Sequence, residues 1–379
     1  MKKALIVASV ASMIEQFNLE NIQILKNLGF SVDVATNFEN PGTITNEIVD
    51  NLKKKLQKKH VNCIQIDFPR GIGTLKQDKE CYQVLKQLAT NNYNLVHCHS
   101  PIGGALTRLA FRNSNSKVIY TAHGFHFFKG GPVKNWILFY PIERFLSRYT
   151  DILLTINNED FQVAKTFHAK NVIKIPGVGI KEIDKTMATN KDQENLKVSL
   201  GINYADLVII SIGELSKRKN HITAIKALHD LKFNYHYIVC GTGEELDVLK
   251  RAVREYNMED RVHFIGYQGN IQPYLEISDL SIFISKREGL GLAGLEAMSA
   301  GVPLISSYIG GIKDYTENGV TGFTIKNPMD ISELREKLKQ WVSLTSHQKK
   351  IMSKNCISIS QKYTIQEVNK IMTKIYSTM

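Results

Sequence analysis

Glu288 and Glu296 stand at the two ends of the run Glu288-Gly-Leu-Gly-Leu-Ala-Gly-Leu-Glu296, the first at an expected strand end and the second inside the helix that follows. Gly289, Gly291 and Gly294 let the main chain approach a ligand closely, and the free N–H groups of a helix start attract an anion such as a diphosphate. A carboxylate one or two turns into that helix can take ribose hydroxyls. The plainer alternative is a tight strand-to-helix turn with an exposed glutamate on each side. A cationic run, Gly213-Glu-Leu-Ser-Lys-Arg-Lys-Asn-His221, offers Lys219 and Arg218 to the same kind of anion, with Lys217 beside them. Glu214 would repel a diphosphate unless it points away or those cations compensate it. Here the alternative is a solvated basic loop.

Other chemistries lack their residues. The first loop, Ala8-Ser-Val-Ala-Ser-Met13, has no GxGxxG and so speaks against a dinucleotide-dependent dehydrogenase, although its small side chains leave room for a substrate. Five cysteines, Cys63, Cys81, Cys98, Cys240 and Cys356, make an odd set without a CxxC pair, which argues against a disulfide framework and a zinc ribbon. With no His or Cys cluster at ligand spacing, no essential metal and no cofactor is expected.

The elements that must position these residues alternate. Short apolar runs at Ala4–Val10, Ser31–Ala35, Cys63–Phe68, Leu95–His99, Val118–Thr121 and Ile152–Ile156 are separated by helical periods, the first of them at Ile14–Leu28. Continuous rather than alternating apolar strands imply a parallel sheet covered on both faces. A polar stretch after Lys174-Ile-Pro-Gly-Val-Gly reads as a linker, and the rhythm restarts with strands at Leu207–Ile212, Tyr237–Cys240, Val262–Ile265, Leu280–Ile284 and Pro303–Ser306. The reading is α/β, with two doubly wound Rossmann-like domains facing each other across a cleft, where open sheets of this kind bind ligands. Its boundaries are 1–175, a linker at 176–200, 201–355, and a C-terminal helical piece at 356–379 that packs back on the first domain.

Length and charge agree with that plan. At 379 residues two domains of ordinary size are expected, and 43% hydrophobic with 22% charged residues is a soluble globular balance. The formal charge of +12 favours anionic partners, and it is concentrated in front: residues 1–180 carry 22 basic and 13 acidic side chains, the remainder 26 and 23. Lys2-Lys-Ala-Leu-Ile-Val-Ala resembles a short secretory signal, but a buried first strand is the preferred reading, because free cysteines continue along the chain and a helix follows at once. No apolar run reaches the roughly 20 residues needed to span a bilayer, so any membrane role is peripheral.

The segment Glu-Gly-Leu-Gly-Leu-x-x-Leu-Glu-Ala-Met-x-Ala-Gly-x-Pro resembles the signature of retaining glycosyltransferases of the GT-B fold, family 4. Val96-His-Cys-His-Ser-Pro, Tyr120-Thr-Ala-His-Gly-Phe-His-Phe-Phe-Lys-Gly and Ile175-Pro-Gly-Val-Gly-Ile are similar to the capsular and exopolysaccharide branch of that family. The resemblance implies that Glu296 binds the nucleotide ribose, and that Glu288 with the backbone of Gly289, Leu290, Gly291 and Leu292 holds donor sugar and diphosphate. It places Gly266 and Tyr267 beside the base, and His123 against the sugar as a catalytic-site residue. Where relatives carry Gly-Arg-Leu and then a lysine on the diphosphate, Lys219 fits and Glu214 does not. The front domain would then be the acceptor side and the second the nucleotide-sugar side. Acceptor-side candidates are Ser9, Ser12, His126, Lys129 and Arg144. The stretch from Phe125 to Tyr149 interleaves aromatic and basic residues in a composition suited to an anionic lipid interface, the alternative being a buried helix with a basic outer face.

The function so implied is transfer, with retention, of a sugar from a UDP-hexose or UDP-N-acetylhexosamine to a polyprenyl-diphosphate-linked saccharide in capsular or exopolysaccharide synthesis. The enzyme would be cytoplasmic and peripheral on the membrane face. Rival readings are a nucleotide-sugar epimerase of the same build and an inactive nucleotide-sugar-binding partner subunit. No nucleic-acid module is recognisable.

Overall fold

The computed structural model describes residues 2–71, 73–182 and 190–379. The chain divides into two compact units, Met1–Val178 with Gln366–Met379, and Gly179–Ile365.

The first unit is built on seven parallel strands: β1 (Lys2–Val7), β2 (Phe30–Thr36), β3 (Asn62–Gln65), β4 (Leu95–His99), β5 (Lys117–Ala122), β6 (Ile152–Thr155) and β7 (Asn171–Lys174). They lie in the order β3-β2-β1-β4-β5-β6-β7. Central strands are buried along their length because helices cover both faces: Ala4 to Val7 and Leu95 to His99 show no alternation. The edge strands β3 and β7 expose their ends. Strand β7 is absent from the sequence reading because only Val172 and Ile173 of its four residues are apolar. The helical period expected over 14–28 is two helices, Ala11–Phe17 and Leu19–Asn27. They part at Asn18, which is buried and donates its side-chain amide to the Met13 carbonyl at 3.0 Å, so that a local side-chain bond competes with the helical ladder.

The second unit has six parallel strands: β8 (Leu207–Ile212), β9 (Tyr235–Cys240), β10 (Val262–Gly266), β11 (Leu280–Phe283), β12 (Leu304–Ser307) and β13 (Gly322–Ile325). Their order is β10-β9-β8-β11-β12-β13. Its core gathers Ile209, Tyr237, Val239, Ile282, Ile305 and Trp341. In each sheet the strand order turns back at one junction, β1 beside β4 and β8 beside β11. Loops leaving the carboxyl ends of those strands diverge and leave room for a ligand.

The divisions differ from the expected boundaries in two places. Helix Asn190–Ser199 occupies the second half of the expected linker, and residues 183–189 lie outside the described ones. Helix Ser346–Ser360 runs through the expected boundary at 355 and stays in the second unit, because Met352, Cys356 and Ser360 form its buried face and the Cys356 thiol sits 3.3 Å from the Thr321 carbonyl. Only the last helix, Ile365–Ser377, is grouped with the first unit, from Gln366 onward. Tyr376, Asn369 and the Met379 carbonyl bind His97, Glu20 and Lys2 there.

A buried ion pair ties two helices of the first unit to its sheet. Arg108, with no exposed surface, donates to Glu143 Oε2 at 2.9 Å and to the Gly104 carbonyl at 3.0 Å. Its guanidinium carbon lies 3.9 Å from the centre of the Tyr120 ring on β5, and the Tyr120 hydroxyl donates to Glu143 Oε1 at 3.2 Å. Helices Pro101–Phe111 and Val133–Leu146 are thereby fixed to the same strand. Removing one partner strands a desolvated charge. Glu143→Ala is expected to cost about 3–5 kcal/mol, read as a lower urea midpoint at unchanged slope, whereas Arg108→Met with Glu143→Leu should cost far less. Equal losses from both variants would refute this account.

Candidate functional site

In the second unit the loop after β8 and the turn after β11 meet across the junction of the strand order. Lys219 Nζ donates to Glu288 Oε1 at 2.7 Å, and Arg218 Nη1 reaches the same oxygen at 3.0 Å. The Lys219 and Glu288 side chains are only 11% and 10% exposed, so their attraction is little screened, while Arg218 is 43% exposed. The Lys286 N–H donates to the Arg218 carbonyl at 2.8 Å, and Arg218 Nη1 to the Arg287 carbonyl at 3.2 Å, stitching the loops along their backbones. Glu214 is exposed and 3.6 Å from Arg218 Nη2. Its charge is compensated by a neighbouring cation, one of the two outcomes its sequence position left open.

The turn itself is held in a conformation that needs glycine. Gly291, the residue before helix Leu292–Ser299, has φ +86°, and its carbonyl accepts from the Tyr315 hydroxyl at 3.0 Å. Behind it Gly310 and Gly311 press so closely that a Cβ on either would lie 2.3 Å from the Glu288 carbonyl oxygen or 2.1 Å from that of Gly289. This pair was missed from sequence; two adjacent glycines just after β12 were its only signal. Leu290 is buried beneath the turn. Glu296 lies within the helix, where burial raises its pKa above the ordinary 4.5 against the opposing pull of Lys219 and Lys181. Lys219 thus acts on both glutamates. Gly266 and Tyr267 close β10 at the same carboxyl edge, with β9 and β8 intervening before β11, and Tyr267 is 78% exposed. His221, not singled out from sequence, is buried at the start of helix His221–His229, which follows that loop. Its Nε2 has no hydrogen-bond partner, and burial, with Lys219 adding to it, brings its pKa to about 4.

The first unit gathers histidines at the carboxyl ends of β4 and β5. His97 Nδ1 is 2.6 Å from the Tyr376 hydroxyl and its Nε2 is 2.7 Å from Thr121 Oγ1. His99 Nδ1 is 3.1 Å from His123 Nε2, and Phe17 stacks on His123 with ring centres 5.7 Å apart. Burial lowers all three pKa values, to about 3 for His97, about 4 for His123, and well below 6.5 for His99. The cluster is therefore neutral near pH 7: of the facing His99 and His123 nitrogens one donates and the other accepts, while both His97 nitrogens meet hydroxyls. His123 was expected at a site; His97, His99, Thr121 and Tyr376 were not, although Val96-His-Cys-His had drawn notice as a family segment.

The acceptor-side candidates have separate local contacts. Ser9 is buried, and its hydroxyl accepts the Gly103 N–H at 3.0 Å, holding the first turn of helix Pro101–Phe111. Ser12 is also buried, with its N–H on the Pro41 carbonyl at 2.8 Å. His126 packs on Phe139, ring centres 4.9 Å apart. Lys129 is exposed, with its N–H on Glu159 at 2.7 Å, and Arg144 is exposed on helix Val133–Leu146. A polar cavity of about 500 Å³ that the sequence did not suggest opens beyond β2 and β3, lined by Asn37, Glu39, Asn40, Asp67, Arg70 and Gln77 among others. Among the described residues no group of three His, Cys, Asp or Glu side chains is placed to hold a metal ion, and no helix is long and apolar enough to cross a membrane.

Comparison with known proteins bears on both halves. The family model described as Glycosyl transferases group 1 matches residues 192–357, and that described as Glycosyl transferase 4-like matches residues 6–157. The chain is 33% identical over 334 residues to the putative glycosyltransferase EpsD of Bacillus subtilis (strain 168), covering 86% of this chain and 84% of that one. It is 26% identical over 357 residues to the UDP-Gal:alpha-D-GlcNAc-diphosphoundecaprenol alpha-1,3-galactosyltransferase of Escherichia coli, covering 91% and 88%. The solved structure of HepE from Anabaena in complex with UDP and glucose has the same fold, with a TM-score of 0.78 over the whole of both chains at 19% identity.

Two pH dependences follow from the buried groups. Because the folded pKa of Glu296 lies above its unfolded value, the unfolded chain loses that proton first and stability falls as pH rises through the interval. Glu296→Gln should therefore melt higher than the parent at pH 7.5 and lose that advantage near pH 4; an equal offset at both would refute it. The histidines have the opposite sign. Their folded pKa values are depressed below 6.5, so their contribution is complete above about pH 7 and is lost as pH falls through the interval down to about 4 for His123. The melting temperature should drop between pH 7.5 and 5, and His99→Gln should narrow that drop.

Proposed function

This chain belongs to the group 1 glycosyltransferases, enzymes of the GT-B fold, and on that premise we propose that it moves a sugar from a UDP-sugar to a lipid-linked saccharide, with retention of anomeric configuration, in the assembly of a surface polysaccharide. The observation that carries this reading is the Lys219–Arg218–Glu288 constellation beside the start of helix Leu292–Ser299. Two cations and a row of helix N–H groups around one turn suit a departing nucleoside diphosphate. The donor class draws further support from the UDP complex of HepE, and the acceptor class from the diphosphoundecaprenol substrate in the name of the Escherichia coli relative.

In this reading the bond between the anomeric carbon and the phosphate oxygen breaks as the acceptor hydroxyl oxygen bonds to that carbon from the same face. The acceptor proton passes to the departing phosphate, and UDP leaves. Lys219 and Arg218 take up the charge that develops on the diphosphate, which loosens their hold on Glu288. That carboxylate is then free for the hydroxyls of the sugar. Glu296 holds the ribose, and a half-buried carboxyl within the helix suits that task. Tyr267, exposed at the end of β10, has the flat face a uracil would need. His123, neutral at pH 7, offers the sugar a hydrogen bond without a charge. The polar cavity beyond β2 and β3, with amides and carboxylates in its wall, suits a hydroxyl-rich acceptor. No metal is required for any step, and the work is placed at the cytoplasmic face of the membrane, where a polyprenyl diphosphate would be met.

Thermal melts of the purified protein with UDP, GDP and NAD test the donor. At about 100 times its dissociation constant UDP should add roughly 2.7 kcal/mol to stability. Glu296→Ala should abolish that gain, and a chain that UDP fails to stabilise would sink the reading. With UDP-sugars and a polyprenyl-diphosphate saccharide, Lys219→Met should lower kcat about 10²- to 10³-fold, and EDTA should leave the rate unchanged. Sugar epimerised without acceptor, or UDP bound without turnover, would instead favour the epimerase or the inactive partner.

A further inference from the structure

Helix Val133–Leu146 presents a face that the first unit does not use. Val133 and Ile137 are each 72% exposed, and Leu138, Ile142 and Phe145 between 45% and 49%. At 100° per residue these five fall within one half-turn of the helix, together with Pro141, Lys134 and Arg144. Arg148 follows just beyond, its guanidinium carbon 5.7 Å from the centre of the Phe145 ring. That half carries apolar and cationic side chains and no carboxylate. The helix has one acid, Glu143, and it is turned inward and bound to Arg108. A helix face meant for water would carry few large apolar groups and charges of both signs.

We propose that this face docks on a bilayer rich in anionic lipid, with the helix lying flat in the interface. Fourteen residues span about 21 Å, too short to cross a hydrocarbon core of about 30 Å but long enough to bury an apolar face among headgroups. The inner side is rigidly held, which preorganises the outer one. Trp136 and Tyr140 pack on Phe127 with ring centres 5.3 and 5.5 Å away, His126 packs on Phe139, and the Trp136 indole N–H donates to the Phe128 carbonyl. Charge selects the occupant. A second copy meeting this face across a two-fold axis would oppose Lys134, Arg144 and Arg148 to themselves, whereas anionic headgroups pair with all three and acyl chains take the apolar groups between them. The surplus of 22 basic over 13 acidic residues in the front of the chain draws it toward the same surface. The inference deepens the reading that the acceptor is carried on a lipid, since it supplies a means of reaching a substrate confined to the membrane.

The test is co-sedimentation of the full chain with vesicles of phosphatidylcholine alone or mixed equally with phosphatidylglycerol, at low and high salt. The protein should pellet with the mixed vesicles, weakly or not at all with phosphatidylcholine, and less as salt rises. Lys134→Glu with Arg148→Glu should weaken partitioning about twentyfold or more, at about fivefold per lost cation. Ile137→Glu with Phe145→Glu should reduce it to the phosphatidylcholine level. Both variants should keep the parent melting temperature and its UDP-induced rise, which separates lost docking from lost folding. Equal binding of parent and variants, no preference for the anionic vesicles, or a concentration-dependent dimer that only the parent forms would overturn the proposal. A parent that sediments with anionic vesicles yet gains no stability from UDP would sink the donor assignment and leave the docking face standing.

Discussion

Lys219 and Glu288 hold one another at 2.7 Å across the junction of β8 and β11, both nearly shut off from water. Neither charge would be tolerated there alone. A buried ion survives only with a partner, so the loop after β8 and the turn after β11 must arrive at the same place for the second unit to fold well. The glycines around the turn serve that requirement. Gly291 takes a backbone conformation that other residues adopt only under strain, and Gly310 and Gly311 leave no space for side chains against the carbonyls of Glu288 and Gly289. A turn constrained on every side keeps its N–H groups and its carboxylate aimed in fixed directions. Such preorganisation is what stabilising a developing charge demands.

The two junctions solve opposite electrostatic problems. In the second unit charge is concentrated and paired, with Lys219 acting on Glu288 and Glu296 and Arg218 on Glu288 and Glu214. In the first, three histidines at the ends of β4 and β5 are kept neutral by burial, and their nitrogens are used for hydrogen bonds rather than charge. A neutral, hydrogen-bonding wall suits a hydroxyl-rich ligand, and a cationic one suits a diphosphate. The final helix belongs to this arrangement, because Tyr376 supplies the partner of His97 Nδ1.

Glu143 links the interior of the first unit to its surface. With its carboxylate taken by Arg108 and Tyr120, the inward side of helix Val133–Leu146 is fixed, and its outward half is left with apolar groups and cations alone. The aromatic and basic residues of this stretch were visible in sequence, where a lipid interface and a buried helix fitted equally well. Exposure sorts the residues of the helix by face. The aromatic residues Trp136, Phe139 and Tyr140 are those that pack inward, and the aliphatic ones with Phe145 face out.

Much of the architecture was legible because it is written in local periodicity. Largely apolar runs without polar alternation in β1, β4, β8 and β11 announce parallel strands covered on both sides, and the spacing of helices between them leaves a doubly wound order as the natural result. The Glu288 to Glu296 segment, with its glycines, named the turn and the helix of the candidate site. Short edge strands such as β7 and β13 carried too few apolar residues to be seen. Polar composition gave no sign of helix Asn190–Ser199 within the expected linker, and nothing local marked that helix Ser346–Ser360 runs past 355. Residue types and spacing alone were enough to specify the fold class and the turn that could hold an anion. Three-dimensional packing was needed to pair Lys219 with Glu288, 69 positions away, to bring Tyr376 onto His97, 279 positions away, and to spend the Ser9 hydroxyl on the start of a helix. Periodicity reports on neighbours a few residues apart, whereas a buried polar atom is satisfied by whatever group the folded chain carries to it.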